Sequence, residues 1–167
     1  MAKILNETRF SPGPEHANFS WWKRIFLEPG TRLCKFTEHA LYPGRGVSPW
    51  WALDAAGPSG DPGFTSILEG ARRSGRPLTE FFRDVYAVKF EWNSLSLSQN
   101  GLLRLQRMKL VEPVYAFHGQ VAAVPGKRPP LANPGKDQQR FPGGAFQVVI
   151  PGLTSAHMLG TGFNLLS

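Results

Sequence analysis

The sequence predicts an α+β fold, and three features of its order and composition lead to that class. Apolar residues recur at helical spacing in the middle of the chain, whereas alternating apolar and polar residues fill the later part. Eighteen Gly and fifteen Pro indicate many turns, which disfavours a helical bundle. Helices precede and interrupt consecutive strands, so a doubly wound βαβ sheet is not expected. No GxGxxG or Walker A motif occurs, so the usual nucleotide-binding folds have no local support.

The first part of the chain is expected to contain a loose lead-in, a short helix and a strand. Residues 1–18 are polar and interrupted by Pro and Gly, which predicts a loosely ordered segment. The apolar residues of 19–27 fit a helix capped by Ser20, and the EPG tripeptide that follows would end it. The next segment, TRLCKFT, alternates from Thr31 onward and predicts the first strand.

Two central helices are predicted over 64–73 and 78–91, after a loop of composition DAAGPSGDPG at 54–63. Apolar side chains recur in the second helix at spacings of three, four and seven residues, which is the period of one helix face. These residues are Leu78, Phe81, Phe82, Val85 and Trp92. Pro77 suits the first turn of that helix.

Strands are expected to dominate the rest of the chain. Asn100-Gly101 predicts a turn, and the segments 102–110 and 112–124 then form two consecutive strands. Residues 125–143 hold several Pro, Gly and charged residues, which predicts a long surface loop of the kind that often serves function.

The last strand predicted is AFQVVIP at 145–151, and the tail from Leu153 is expected to pack or fray. The whole chain of 167 residues is predicted to be a single domain.

Charge and cysteine content narrow the function classes. The net charge of +7 suits a polyanionic or phosphorylated partner. Cys34 is the only cysteine, which excludes an intrachain disulfide and a thiolate metal cluster. No apolar run reaches the length of a signal peptide or a membrane helix, so any export is expected to use another route.

Several common catalytic sites lack their motifs. The four histidines are scattered without HExxH spacing, so no metal site is predicted. Ser48 could supply a hydrolase nucleophile, but no GxSxG elbow surrounds it. The acidic residues form no paired-carboxylate motif of a glycosidase. The acidic residues considered are Glu38, Asp54, Asp84 and Glu91.

Basic residues cluster in two segments and leave two interpretations open. They could bind nucleic acid, or they could be a solvated basic surface, because the aromatic residues are not interleaved with them. A small phosphorylated ligand is equally compatible with their number. The residues are Arg72, Arg73, Arg76, Lys127, Arg128, Lys136 and Arg140.

The most specific segment is FPGGAFQVVIPGL at 141–153. Two consecutive glycines before a strand let the backbone approach a ligand closely, and Gln147 would place an amide with donors and an acceptor at its edge. The alternative is a simple hairpin whose glutamine faces water.

Three segments, in order, resemble the pattern of the tuberculosis necrotizing toxin family of NAD glycohydrolases. They are PGTRLCKFTEH at 29–39, the glycine turn with VSP at 44–49, and PGGAFQ at 142–147. In that family a GxRLDRFG strand precedes a glycine turn with an LSP-like triplet, and a PGGGxQ strand comes late. The resemblance implies an ADP-ribosyltransferase-like fold, here a split β core with N-terminal and central helices.

The resemblance also implies roles for individual residues. Gln147 corresponds to the catalytic glutamine, Lys35 stands where the family has an arginine, and Ser48 occupies the serine of the triplet. The residues assigned to substrate binding are Arg32, Trp50, Phe117, Gly143, Gly144 and Phe146. Arg32 with Lys35 would face the pyrophosphate, and an aromatic ring, Trp50 or Phe117, would stack on nicotinamide.

This sequence departs from the family pattern at three positions. Cys34 replaces an acidic residue, Lys35 replaces arginine and Ala145 replaces the third glycine. A lysine ammonium lacks the guanidinium fork, which weakens a bidentate phosphate clamp.

The activity implied is cleavage of the nicotinamide–ribose bond of NAD or NADP. The dinucleotide is the substrate, and no cofactor is implied. An interbacterial toxin effector of this kind would act in the cytosol of a target cell after delivery by a specialised secretion system, and an immunity protein would be its partner. No membrane partner is expected, and nucleic acid is not favoured. The alternatives are ADP-ribosyl transfer to a macromolecule, for which Glu38 or Glu91 would have to reach the site, and a non-catalytic basic nucleic-acid-binding module.

Overall fold

The structure is a computed structural model that describes residues 4–11, 18–36, 47–57, 60–86, 103–125 and 140–166. The strands are β1 (Phe19–Leu27), β2 (Arg32–Phe36), β3 (Trp50–Leu53), β4 (Leu103–Leu110), β5 (Val114–Val121), β6 (Val124–Pro125), β7 (Arg140–Phe141), β8 (Phe146–Val149) and β9 (Met158–Leu166). The helices are α1 (Phe64–Ser74) and α2 (Leu78–Val85), and two 3₁₀ turns occupy Glu7–Arg9 and Ser155–His157. Outside the described residues lie Glu38, Glu91, Trp92, Asn100-Gly101, Lys127, Arg128 and Lys136.

Seven strands form one antiparallel sheet in the order β1-β5-β8-β3-β2-β4-β9. Its outer strands are joined by long ladders, β1 with β5 and β4 with β9. By contrast, β2 and β3 are joined through two registered pairs, Leu33 with Leu53 and Cys34 with Ala52. The pairing of β3 with β8 also has two registered pairs, so the short strand β3 links a β1-β5-β8 group to a β2-β4-β9 group through two narrow ladders. Together with the two helices, the sheet confirms the α+β class.

Segment 19–27 is a strand, so the predicted N-terminal helix is wrong. Residues Trp21 to Leu27 pair antiparallel with Val114 to Gln120 of β5. Ser20 does not cap a helix, because its hydroxyl donates to the carbonyl of Gln120 at 3.3 Å. Aromatic and β-branched residues fit a half-buried strand as well as they fit a helix face, and the distant β5 ladder decides between the two.

Both central helices are confirmed, although the second is shorter than predicted. Helix α1 ends at Gly75, whose φ of 71° is the left-handed conformation that glycine adopts readily. Pro77 precedes α2 at its N-cap position, and the helix ends before Tyr86. The aromatic rings of Phe64 and Phe82 stack at 5.4 Å and join the two helices.

Side chains alternate between two faces of the sheet, and each face covers its own apolar core. The helix face, against which α1 and α2 pack, is defined by the strand residues Cys34, Ala52, Leu105, Phe117 and Val149. The second face is defined by Leu33, Trp51, Leu53, Met108 and Val148. Neighbouring residues of one strand therefore enter different cores, so a site built from strand side chains draws mainly on one face.

The N-terminal segment is anchored to the sheet, in contrast to the predicted loose lead-in. Asn6 is almost fully buried. Its amide nitrogen donates to the carbonyls of Tyr115 at 2.8 Å and Pro151 at 3.1 Å, and its Oδ1 accepts the Tyr115 N–H at 2.9 Å. This part of the lead-in is held by the central strand β5.

The structure adds detail to two predictions near the C-terminus, although residues 126–139 of the predicted loop lie outside the described residues. Residues 158–166 form β9, which pairs with the full length of β4, so the tail is an edge strand of the sheet. Short strands β6 and β7 pair with each other and tie together the two ends of the predicted loop at 125–143. Among the described residues, no helix combines the length and apolar character needed to cross a membrane.

Candidate functional site

The three motif segments of the sequence lie in, or lead directly into, three adjacent strands. Strand β3 pairs with β2 on one side and with β8 on the other. Gln147 lies in β8, half-buried and opposite Gly119 of β5. Because it alternates with Val148 of the second face, its side chain belongs to the helix face.

The glycine pair before β8 is held on both sides by backbone hydrogen bonds. Gly143 and Gly144 have φ of 70° and 103°, which favour glycine. The Gly143 N–H donates to the Asp84 carbonyl at the end of α2, and the Gly144 N–H donates to Val121 of β5. These amide groups position the strand of Gln147 and are not directed at a ligand.

A side-chain relay that sequence reasoning missed also reaches this turn. The Trp21 indole N–H donates to Gln120 Oε1 at 3.2 Å, and Gln120 Nε2 donates to the Gly144 carbonyl at 3.1 Å. The relay connects the edge strand β1 to the start of β8. The sequence carries no signal for it, because β1 was assigned as a helix.

Lys35 does not share a face with Gln147. It alternates with Cys34 and Phe36 of the helix face, and its Nζ lies 5.4 Å from the ring centroid of Trp51, a residue of the second face. Burial lowers the pKa of the Lys35 ammonium group. The structure therefore separates the two residues that the resemblance placed together.

Ser48 and Trp50 shape the start of β3. The Ser48 hydroxyl accepts the Trp50 N–H at 3.2 Å, and the Ser48 carbonyl accepts the Trp51 indole N–H at 2.8 Å. Ser48 thus fixes a turn of the chain. Trp50 projects onto the helix face, and its ring centroid lies 5.5 Å from that of Phe19. Of the aromatic residues assigned to substrate binding, it is the one that shares a face with Gln147 and remains partly exposed.

The other two predicted aromatics pack elsewhere. Phe117 is 3% exposed and stacks on Phe10 at 4.3 Å, so it is a core residue. Phe146 points to the second face, where its ring lies 6.1 Å from His118 and 6.0 Å from Trp21. Neither ring shares an exposed surface with Gln147.

Arg32 is exposed and lies beside an open cleft. Strand alternation places it on the face of Cys34 and Phe36. The cleft has a volume of about 480 Å³ and includes the start of β2 and the end of β3. It is lined by Leu27, Gly30, Thr31, Arg32, Leu53, Asp54, Ala55 and Ala56. Arg32 is the one predicted site residue in this lining, which does not include Gln147.

A partly buried ion pair acts on the only cysteine. Arg107 Nη1 contacts Asp54 Oδ1 at 2.5 Å on the helix face. The fully buried Cys34 thiol donates weakly to the Ala52 carbonyl at 3.8 Å. Burial raises the pKa of Cys34, Asp54 raises it further and Arg107 opposes them, so the thiol remains protonated and unreactive.

His118 received no role from the sequence, but the structure places it in a distinctive setting. It is 2% exposed, and its Nδ1 lies 3.8 Å from Asp61 Oδ2. Within the described part of the chain, neither of these buried atoms has a hydrogen-bond partner. Burial lowers the pKa of His118, the nearby Asp61 carboxylate raises it, and Lys23 lowers it.

The basic residues proposed for nucleic acid are only partly described. Arg72 and Arg73 are exposed at the end of α1, and Arg76 contacts Asp84 at 2.6 Å. Across the described segments, no group of three or more His, Cys, Asp or Glu side chains is arranged to hold a metal ion.

Comparisons with known proteins give two distant structural likenesses. No protein-family model matches the chain, and no curated protein sequence matches it. The chain is similar to Rhs1-CT, solved in complex with its cognate immunity protein RhsI1, with a TM-score of 0.47 and 13% identity over 87% of this chain and 82% of that chain. It is also similar to Tne2, solved in complex with Tni2, with a TM-score of 0.46 and 12% identity over 87% of this chain and 92% of that chain. TM-scores this low do not establish a shared fold.

Proposed function

We propose that this chain is an NAD(P)⁺ glycohydrolase domain of the ADP-ribosyltransferase-like class that acts as a toxin on cytosolic NAD. One observation carries the proposal. The first segment contains β2, the second leads into β3, and the third, much later in the sequence, leads into β8; these three strands are adjacent in the sheet. The narrow pairing of β3 with both β2 and β8 also fits the split β core that the resemblance implies.

Gln147 is the central residue of the proposed site. Its primary amide can donate to one ribose hydroxyl and accept from another, which holds the sugar while the bond at its anomeric carbon breaks. Trp50 lies on the same face and supplies an aromatic surface for nicotinamide.

The proposed phosphate contact is Arg32 in place of Lys35. Arg32 is exposed and on the face of Gln147, whereas Lys35 contacts Trp51 on the opposite face. A guanidinium also offers two parallel N–H donors to a pyrophosphate, which an ammonium does not. The adjacent cleft gives the dinucleotide room beside Arg32.

The chemistry suits a site with few titratable groups. The bond between ribose C1′ and the pyridinium nitrogen breaks, and its electron pair goes to nicotinamide, which leaves as a neutral molecule. A water oxygen then bonds to C1′ and releases a proton to solvent, giving ADP-ribose. The transition state resembles an oxocarbenium ion, so positioning contributes more than acid catalysis.

Hydrolysis is favoured over ADP-ribosyl transfer by the residues near Gln147. Strand β8 contains no glutamate that could activate an acceptor nucleophile. On the described helix face, Asp54 and Asp84 are paired with Arg107 and Arg76. Water is therefore the proposed acceptor, and no cofactor is needed.

An enzyme that depletes cytosolic NAD also threatens the cell that produces it. The proposal therefore includes delivery into a target cell by a specialised secretion system and an immunity protein as partner.

Purified protein mixed with NAD⁺, and separately with NADP⁺, tests the proposal. Chromatography should detect nicotinamide and free ADP-ribose, or its phosphorylated form, in equal amounts. Nicotinamide without free ADP-ribose would indicate transfer to protein. No release from either dinucleotide by folded protein would exclude the glycohydrolase assignment.

A further inference from the structure

Strand β1 forms one edge of the seven-stranded sheet and is long for an edge strand. It spans nine residues, and among the described residues no strand pairs with its outer side. Exposed edges attract other strands, and proteins usually protect them with short length, charge or a bulge. Here the register shift between Phe19 and Trp21 affects one end, which leaves Trp22 to Leu27 as a regular edge.

This edge concentrates exposed apolar side chains. Six large apolar residues are exposed in the described part of the chain, and three of them lie on β1. They are Trp21 and Trp22, each 39% exposed, and Phe26, which is 45% exposed. Aromatic residues grouped in this way mark interaction surfaces, whereas single exposed residues do not.

A positive charge accompanies the aromatic residues on each face of β1. Lys23 alternates with Trp22 and shares the face of Trp21, whereas Arg24 shares the face of Trp22 and Phe26. The Arg24 guanidinium lies 3.9 Å from the Tyr115 ring centroid, so its stem is ordered. An incoming strand would therefore meet cations and aromatic rings on both of its faces.

The same charges disfavour a second copy of this chain as the occupant. Antiparallel pairing of two β1 strands about a twofold axis at the centre of β1 brings Lys23 or Arg24 opposite a lysine or arginine of the other copy. Like charges directly opposite are destabilising, and each copy carries a net charge of +7.

We propose that the outer edge of β1 binds a protein partner through an extended segment that carries acidic and apolar residues on both of its faces. The partner's backbone pairs with β1, its apolar side chains cover Trp22 and Phe26, and its carboxylates approach Lys23 and Arg24. This inference is independent of the NAD chemistry, because binding is measured without NAD. Trp21 also connects the edge to Gly144 through Gln120, so an occupant at β1 adjoins the relay that positions β8.

A labelled peptide of about nine residues that repeats two glutamates and two valines serves as the probe, because this repeat places both residue types on each face of a strand and its length matches one strand. Fluorescence anisotropy measures its binding to the full chain at about 0.15 M salt, where the Debye length is about 8 Å. Arg24→Glu should weaken binding by about tenfold, a loss of about 1.4 kcal/mol. Phe26→Ser should also weaken binding, and it leaves the charge unchanged. Arg72→Glu makes the same charge change at an exposed position of α1. It should change affinity by less than about twofold, because salt screens the electrostatic effect of a charge distant from β1.

Backbone hydrogen exchange distinguishes pairing of the peptide with β1 from nonspecific electrostatic attraction to the basic surface. Saturating peptide should slow exchange of β1 amides, and a matched lysine–valine peptide should not bind. Equal weakening by Arg72→Glu and Arg24→Glu would overturn the proposal, as would unchanged exchange in β1. A dimer in sedimentation that Phe26→Ser abolishes would also overturn it, in favour of a second copy.

Discussion

His118 is the residue whose environment gives the clearest pH dependence. Burial lowers the pKa of His118 below its ordinary value of 6.5, and the nearby Asp61 opposes this shift without cancelling it. The unfolded chain therefore binds this proton more tightly than the folded chain. The stability contribution of neutral His118 is complete above pH 6.5 and is lost as the pH falls below 6.5 towards the lower folded pKa.

The midpoint of thermal unfolding should therefore decrease as the pH falls from about 7 to about 5. His118→Phe keeps an aromatic ring in the site without a titrating group, and it should flatten this dependence. NMR titration of the imidazole should give a pKa below 6.5. A pKa above that value, or an unchanged pH profile in His118→Phe, would contradict the prediction.

Gly119 is a residue of β5 where an added methyl group should be damaging. A Cβ at this position would lie 2.4 Å from the Trp21 carbonyl oxygen and 2.7 Å from Phe19 Cγ. Gly119→Ala should lower the free energy of unfolding by about 1–3 kcal/mol through overpacking.

Gly70 provides the matched control, because a Cβ there would meet nothing within 4 Å in helix α1. Gly70→Ala should stabilise the protein by about 0.5–1 kcal/mol, since alanine favours a helix. Urea denaturation measures both variants. A similar change in both would mean that the close approach of β1 to Gly119 is wrong.

At the scale of elements, helix α2 holds the turn that precedes β8. The carbonyls of Asp84 and Val85 accept the N–H groups of Gly143 and Ala145. The buried Asp84 carboxylate pairs with Arg76 at 2.6 Å. The end of α2 therefore fixes where β8 and Gln147 begin.

Arg76→Gln removes the cation from this buried carboxylate. Stability should fall by about 1–2 kcal/mol, less than for a fully buried pair because Arg76 is 42% exposed. Nicotinamide release should fall as well, because the position of Gln147 depends on α2. Arg73→Gln, at an exposed position of α1, is the control and should leave stability and nicotinamide release unchanged. Equal effects of the two substitutions would show that α2 does not position β8.

Elements with a strong local pattern could be predicted from the sequence. Helices α1 and α2 and strands β2, β4, β5 and β8 follow their apolar periods. Strand β1 could not be predicted, because its aromatic residues fit a helix face and its pairing partner β5 is distant in the sequence. Strand β9 was missed for a similar reason, since its glycines weaken the local signal and β4 supplies the order.

At the scale of the whole molecule, the sheet order determines which motif residues can act together. The sequence identified the three segments, but it did not show which strands pair, and so it did not show which side chains of different segments share a face of the sheet. Lys35 and Arg32 are three residues apart in one strand, and alternation sends them to opposite faces. His118, Gln120 and Trp21 escaped prediction because their contacts form only when β1, β5 and the 54–63 loop come together.

The two faces of the sheet separate the residues that the resemblance placed in one site. Gln147 and Trp50 lie on the helix face, whereas Lys35 contacts Trp51 on the second face. Substitution of Gln147 should therefore lower activity and substitution of Lys35 should not, which makes a direct comparison informative.

The most direct measurement compares nicotinamide release from NAD⁺ by Gln147→Ala and Lys35→Ala, each checked for folding by circular dichroism. We expect Gln147→Ala to lower kcat by at least about a hundredfold, as loss of a positioned transition-state contact does. Lys35→Ala should retain activity within a few-fold, because its side chain lies on the other face. Undiminished release by Gln147→Ala, or a loss confined to Lys35→Ala, would contradict the proposed site.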